Sequence, residues 1–264
     1  LLRQTPEYEA FLKALKAVNN DLTVQRLGAQ MRSHQNALQW GRDGSDRHEA
    51  ELMRLEQEMG APLEVINDGD VTALAGSMSI GVNGVLGIAL GSSQAAGYVN
   101  PEGRLMGWLS ELAFAPVDYS PHAPIEEWSG DQGCGASYLS QQCVFRLAPQ
   151  VGIEIPAHLA DAEKLSFVQE KLEAGHEGAR KIWQSMGVYL GYSLAHYINF
   201  YDIQHVLILG RCTSGRGGEL LLEGARQVLK AEFPDLFERI SLHLPDEKIR
   251  RVGQAVAAAS LPAL

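Results

Sequence analysis

The stretch Val65-Ile66-Asn67-Asp68-Gly69-Asp70-Val71-Thr72-Ala73-Leu74-Ala75 constrains this chain more than any other. Pro62-Leu63-Glu64-Val65-Ile66 has the apolar, β-branched character of a buried strand, and Asn67-Asp68 is turn chemistry. The small residues Ala73, Ala75, Gly76 and Ser77 predict a helix that packs closely on its neighbour. A strand handing over to a helix so abruptly is a unit of α/β architecture. A carboxylate at such a junction is positioned by the strand, beside a helix N-terminus that favours anionic groups. Two readings of the junction stand together. Asn67 or Asp68 caps the helix, or Asp68 is a general base, which needs only hydrogen-bond reach of the proton it takes.

The rest of the chain alternates in the same way. Residues 6–18 read as a helix through Phe11, Leu12, Leu15 and Val18, and residues 19–44 are polar with few periodic anchors. Ser45 starts a second helix, with Leu52, Leu55 and Met59 as its stripe and Gly60 as its stop. Val85 to Leu90 is an apolar strand, followed by a loop from Gly91 to Gly97 and a hairpin over residues 98–106. Residues 107–135 read as a long irregular segment carrying Trp108 and Trp128, and such segments are often functional. Helices are expected over 136–149, 160–174 and 176–200, the last with a broad apolar stripe from Ile182 to Ile198. His205 to Gly210 is a strand, a glycine turn at 214–218 opens a helix to about Phe233, Ile240 to Leu244 is a short strand, and 246–260 a closing helix. Strands that end in Gly or Asp and alternate with helices predict an α/β sheet with ligands at the carboxyl ends of its strands.

Composition narrows the function. A net charge of −10 argues against a nucleic-acid partner for this segment, since phosphate backbones are met by an excess of Lys and Arg. No apolar run is long enough to span a bilayer as a helix. Cys134, Cys143 and Cys212 are odd in number and widely spaced, which predicts reduced thiols and a cytoplasmic protein. The chain starts Leu1-Leu2-Arg3, so a preceding segment is expected. The glycines at 215–218 lack the Gly-Lys-Ser/Thr ending of a P-loop.

Four segments in order carry a resemblance: Val65-Ile66-Asn67-Asp68 with Ala73-Leu74-Ala75; Ile88-Ala89-Leu90-Gly91-Ser92; Gly107-Trp108-Leu109-Ser110-Glu111; and the run from Met186 through Ile198 to Val206-Leu207-Ile208-Leu209-Gly210. With the ending Gly253-Gln254-Ala255-Val256-Ala257-Ala258, the chain from residue 62 to 264 resembles the ROK family (repressors, open reading frames and sugar kinases) of the hexokinase/actin-like superfamily. The resemblance implies an α/β, hexokinase/actin-like (ribonuclease H-like) ATPase fold, mainly its C-terminal lobe with part of the N-terminal lobe. Residues 1–66 would be the remainder of the N-terminal lobe and 67–264 the C-terminal lobe, with the helix at 246–260 packing back on the former. It also implies a small-molecule sugar as substrate, ATP with Mg2+ as phosphate donor, and a homodimer. Asp68 would be the catalytic base, and Asn67 and Glu111 would bind the sugar. Gly91, Ser92, Gly97 and Gly210 would flank the nucleotide.

The departures from the family matter equally. Its second phosphate loop is glycine-rich, whereas Ser93, Gln94, Ala95 and Ala96 stand here, and side chains hinder backbone N–H groups from cradling oxygens. The family's first phosphate loop is not found. Its sugar-binding Glu is followed by Gly-His, and its structural zinc is held by a His and a cysteine cluster. Here His122, Cys134 and Cys143 are the nearest candidates, short of the three or four convergent ligands zinc needs, and zinc is not expected. A second sugar-binding Glu, in a Gly-Cys-Leu-Glu segment, is replaced in Gly133-Cys134-Gly135-Ala136. Arg211, where the family has glycine, either pairs with a nucleotide phosphate or blocks the adenine pocket. His196 and His205 are expected to satisfy local hydrogen bonds, and Trp108 and Trp128 either pack in the core or stack on a sugar. Three functions follow: an ATP-dependent sugar kinase, a non-catalytic relative that binds a sugar or other metabolite and signals, and an oligomer-forming protein that kept only the fold.

Overall fold

The computed structural model describes residues 50, 51, 53–55, 57, 58, 67–107 and 110–245. The chain divides into two units, Leu1–Val65 and Ile66–Leu264. In the first, the described residues are helical, within the helix expected from Ser45, and Arg54 is held between Glu51 and Glu58 one turn away on either side. The expected helix at 6–18, polar stretch 19–44, strand 62–66 and closing helix 246–260, together with Trp108, lie outside the described residues.

In the second unit, helix α1 (Asp68–Ile80) precedes a hairpin of β1 (Val85–Leu90) and β2 (Gln94–Val99), and β3 (Leu105–Met106) follows. Two short helices, α2 (Gly135–Tyr138) and α3 (Gln141–Leu147), then lead to the long helices α4 (Asp161–Glu173) and α5 (Glu177–Tyr197). Strand β4 (His205–Leu209), helices α6 (Arg216–Glu232) and α7 (Pro234–Arg239) and strand β5 (Ser241–His243) close the described chain. The described strands form one sheet of order β3-β2-β1-β4-β5, in which, among them, β2 alone runs against the rest.

The apolar strands have no polar face because both faces of the sheet are covered. Leu86, Ile88, Leu90, Val206 and Ile208 point into the main core with Ile182, Trp183, Met186, Leu190 and Leu194 of α5. Gly87 and Leu207 alternate with them and meet α1, at Ala73 and Gly76 respectively. The period-2 register therefore places α5 and α6 on one side of the sheet and α1 on the other.

Three local expectations change. The loop expected over Gly91 to Gly97 is a turn at residues 91–93, because Gln94-Ala95-Ala96-Gly97 pairs with Gly87 to Leu90 in β2. Without the glycines of a phosphate loop, this stretch adopts the extended pairing its side chains allow. The helix expected over 136–149 is broken at Leu139-Ser140, where the Ser140 hydroxyl caps α3 by accepting from the Gln142 N–H at 3.1 Å. Pro234 ends α6 and starts α7, a helix the strand pattern hid.

Candidate active site

Asn67 has an extended backbone and is the N-cap of α1. Its Oδ1 accepts from the Gly69 N–H at 2.8 Å, while its Nδ2 donates to Glu111 Oε1 at 3.3 Å. The cap and the ligand roles are thus not exclusive, since the two ends of one amide serve a helix and a carboxylate 44 residues away. Asp68 follows in the first turn of α1 and is exposed, and its carbonyl accepts the Thr72 hydroxyl at 2.8 Å. Glu111 is exposed at the start of the 3-10 turn Leu112–Phe114, accepting the Phe114 N–H on its carbonyl at 3.1 Å. Asn67, Asp68 and Glu111 are therefore gathered at one end of α1.

The position of α1 is set by backbone contact. A Cβ on Gly69 would stand 2.0 Å from the Ala96 carbonyl oxygen, and one on Gly97 would stand 2.4 Å from the Gly69 carbonyl oxygen and 2.5 Å from Asp70 Cα. Gly97, expected beside the nucleotide, is buried within β2, where it lets the first turn of α1 rest on the sheet.

Asp70, in that same turn, was not singled out by its sequence. It is only 7% exposed, and its Oδ1 is buried without a hydrogen-bond partner among the described residues. Burial, then the charges of Glu111 and Asp68, push its pKa up to about 6 from an ordinary value of 3.8. A carboxyl whose pKa is higher in the folded chain binds more protons there, so stability falls as pH rises between roughly 4 and 6. Asp70→Asn is accordingly expected to be more stable than the parent at pH 8, by about 3 kcal/mol at most, and to lose that advantage below pH 4. Thermal melts at the two pH values check this, and a variant less stable at pH 8 would refute it.

The carboxyl edge of the sheet holds the other expected residues. Parallel pairing of β1 with β4 sets Ala89 beside Leu209, which brings Gly91 and Ser92 next to Gly210. Gly210 has φ 102°, and a Cβ there would meet Leu90 backbone atoms at 2.4 Å, so only glycine fits. Gly91 donates its N–H to the Ser93 carbonyl at 2.9 Å, and Ser92 and Ser93 are exposed at the tip. Arg211 turns away from the sheet. Its Nη2 donates to the Ala162 carbonyl at 3.4 Å, and it lines a cavity of about 370 Å³ with Glu163, Ser166, Phe167 and Glu170 of α4. His205 meets His243 ring to ring at 3.2 Å, while His196 packs edge-on against Phe200.

The residues nearest the resembled zinc and sugar positions do not fit a metal. Leu112-Ala113-Phe114 follows Glu111 without a histidine. Ala113, Cys134 and Ala136 form a buried apolar cluster against which Phe114 packs. Cys143 is wholly buried in the main core, and His122 is exposed. Phe114 also stacks on Trp128 with ring centroids 6.2 Å apart. The loop is held instead by Glu126, 6% exposed. Its Oε2 accepts the N–H groups of Ser129 at 2.7 Å and Trp128 at 3.1 Å, and its Oε1 accepts from Gln142 Nε2 at 3.4 Å. Burial alone would raise the Glu126 pKa, but these donors outweigh it and hold the carboxyl below its ordinary value. Gln132 Nε2 ties the same loop to the Pro121 and Ala123 carbonyls. Glu126→Ala is expected to cost about 1 kcal/mol, because the N–H groups of Trp128 and Ser129 lose their acceptor. Addition of a zinc chelator is expected to leave the melting temperature of the parent unchanged, and a chelator-induced drop would refute this account of the loop.

A second cavity, of about 300 Å³, opens beside Glu111 and is lined by Leu112, Phe114, Pro116, His196, Phe200 and Tyr201 among others. Tyr201 feels the charge of Asp70, which places this wall near the acid cluster. The 3.6-residue apolar period of the long helix pointed to Ile198 as part of its stripe, but gave no sign that the turn beyond Tyr197 forms a wall of this cavity.

Among the described residues, a five-stranded sheet with helices on both faces and an acid in the first turn of the helix packed on it is an arrangement of the hexokinase/actin-like fold. Solved structures similar to this chain include a ROK hexokinase from Thermus thermophilus, with TM-score 0.58 and 21% identity over 79% of this chain and 69% of that one. A ROK family glucokinase from Streptomyces griseus, solved with glucose and AMPPNP, gives 0.60 and 20% over 79% and 70%. A ROK family transcriptional regulator, homologous to the E. coli MLC protein, gives 0.61 and 20% over 80% of this chain but 55% of its own. No family model and no curated protein matches the sequence. At these identities the likeness establishes the fold.

Proposed function

We propose that this protein is a divergent ROK-type sugar kinase. The observation that carries the reading is the hydrogen bond between Asn67 and Glu111, beside Asp68. It joins the two residues that the resemblance independently assigns to the sugar, next to the one it assigns to the proton. Asp68 is exposed at the helix N-terminus and accepts the proton of the sugar hydroxyl that becomes the nucleophile. Asn67 and Glu111 hold neighbouring hydroxyls. ATP with Mg2+ supplies the phosphoryl group, and Gly91, Ser92 and Gly210 flank it, with the exposed Ser92 and Ser93 hydroxyls as donors at the turn. The homodimer, the cytoplasmic location and the assignment of residues 1–66 to an N-terminal lobe belong to the same proposal. Among the described residues, no helix is long and apolar enough to cross a membrane.

A second reading is favoured by one observation. The turn at residues 91–93 keeps only Gly91 of the glycines of a phosphate loop, and Ala136 and Phe114 leave the site poorer in polar groups. A protein that binds a sugar and signals without phosphorylating it would tolerate both changes. The full-length protein, assayed with ATP and Mg2+ across hexoses and amino sugars, separates the two. Phosphoryl transfer abolished by Asp68→Asn supports the kinase. Sugar binding by calorimetry with no ATP affinity supports the regulator.

A further inference from the structure

The cavity beside Glu111 has the wrong lining for a bare sugar. A pyranose presents hydroxyls on every edge, and each one buried without a partner is costly. Here the walls are Leu112, Phe114, Ala115, Pro116, Phe200 and Tyr201. Tyr197 is only 1% exposed, and its hydroxyl accepts from buried Gln94 Nε2 at 3.4 Å. The polar side chains left to the lining are mainly Glu111 at one side and His196, whose ring stands edge-on to Phe200 with centroids 5.3 Å apart. Glu111 belongs both to this cavity and to the Asn67 pair, so whatever fills the cavity is continuous with whatever Asn67 and Glu111 bind. A volume of about 300 Å³ accommodates one ring-sized group.

We propose that the ligand is a sugar carrying a flat apolar substituent, an aryl glycoside, whose sugar lies at Asn67, Asp68 and Glu111 and whose ring fills the cavity of Phe114, Phe200 and Tyr201. This deepens the proposed function and rests on its placement of the sugar. Phe114 and the Ala113, Cys134 and Ala136 cluster behind it are then a specificity element. They replace polar contacts to the sugar by contact with its substituent, and ring edges and faces in such walls favour an aromatic guest.

Calorimetry on the full-length protein tests this with paired methyl and phenyl glycosides of glucose, galactose, mannose and N-acetylglucosamine, each without ATP. The phenyl member of at least one pair is expected to bind tenfold or more tightly than its methyl partner. Phe200 is half exposed, so Phe200→Ser leaves the fold intact. It is expected to bring the preference below threefold without changing methyl glycoside binding. Equal binding within every pair, no binding of any phenyl glycoside, or a preference that survives Phe200→Ser overturns the inference. Phosphorylation of free hexoses without phenyl preference overturns it while leaving the kinase standing. Phenyl preference without phosphoryl transfer sustains it and removes the kinase.

Discussion

Gly97→Ala is expected to destabilise the second unit by about 3 kcal/mol or more, as a methyl group forced into a filled core does at its upper end. The new Cβ would lie 2.4 Å from the Gly69 carbonyl oxygen and 2.5 Å from Asp70 Cα. Both are backbone atoms, so no rotamer change can relieve the overlap, and α1 must lift from β2. For a unit of this size the melting temperature should fall by roughly 6–12 °C. Gly107→Ala is the control, because that glycine is exposed and its Cβ would meet nothing within 4 Å. It should shift the melt by about 1 °C or less. A Gly97→Ala melt as close to the parent as the control would show that α1 does not depend on this contact. Because Asn67 and Asp68 ride on the first turn of α1, the same lift separates Asn67 from Glu111. Residual folded Gly97→Ala should therefore bind sugar less well than the parent.

Asp68→Asn is expected to lower kcat for sugar phosphorylation by about 10³-fold, the range of a lost general base. KM should change little, because the amide fills the same space and Asn67 and Glu111 still hold the sugar. Stability should barely move, since Asp68 is exposed and its backbone carbonyl, not its carboxylate, accepts Thr72. Asn67→Ala should behave in the opposite way. Loss of the cap costs about 1 kcal/mol, and loss of the Glu111 contact raises KM. Steady-state kinetics on the two variants separate the roles. A kcat for Asp68→Asn equal to that of the parent, in the presence of measurable activity, would remove Asp68 from the chemistry.

Much of the fold was readable in residues 67–245. The strands Val85–Leu90 and His205–Leu209, with α4, α5 and α6, follow from apolar runs and 3.6-residue stripes that leave little choice. The turn at residues 91–93 was less legible, because Gln94 to Gly97 is compatible with a loop or a strand until its partner is known. The break at Ser140 and the extra helix after Phe233 were missed for a related reason. Each depends on one local residue, a capping hydroxyl or a proline, inside an otherwise continuous apolar pattern.

The site divides along the same line. Asn67-Asp68 could be picked out from adjacent letters, because strand, turn and helix signals meet there. The two ends of the Asn67 amide could not, since one partner is two residues away and the other 44. Asp70 looked like an ordinary first-turn acid. Its raised pKa comes from burial and from Glu111, both products of the packing of α1 on β2. Phe114, His196, Phe200 and Tyr201 lie up to 87 residues apart and become one wall only in three dimensions. The alternation of strands and helices, the apolar faces and the acid at Asp68 are short-range patterns of side-chain polarity, legible in adjacent residues. How closely α1 approaches the sheet, which carboxylate is buried, and what lines the space beside Glu111 emerge only on folding, because burial and charge–charge distance are set by residues remote in the chain.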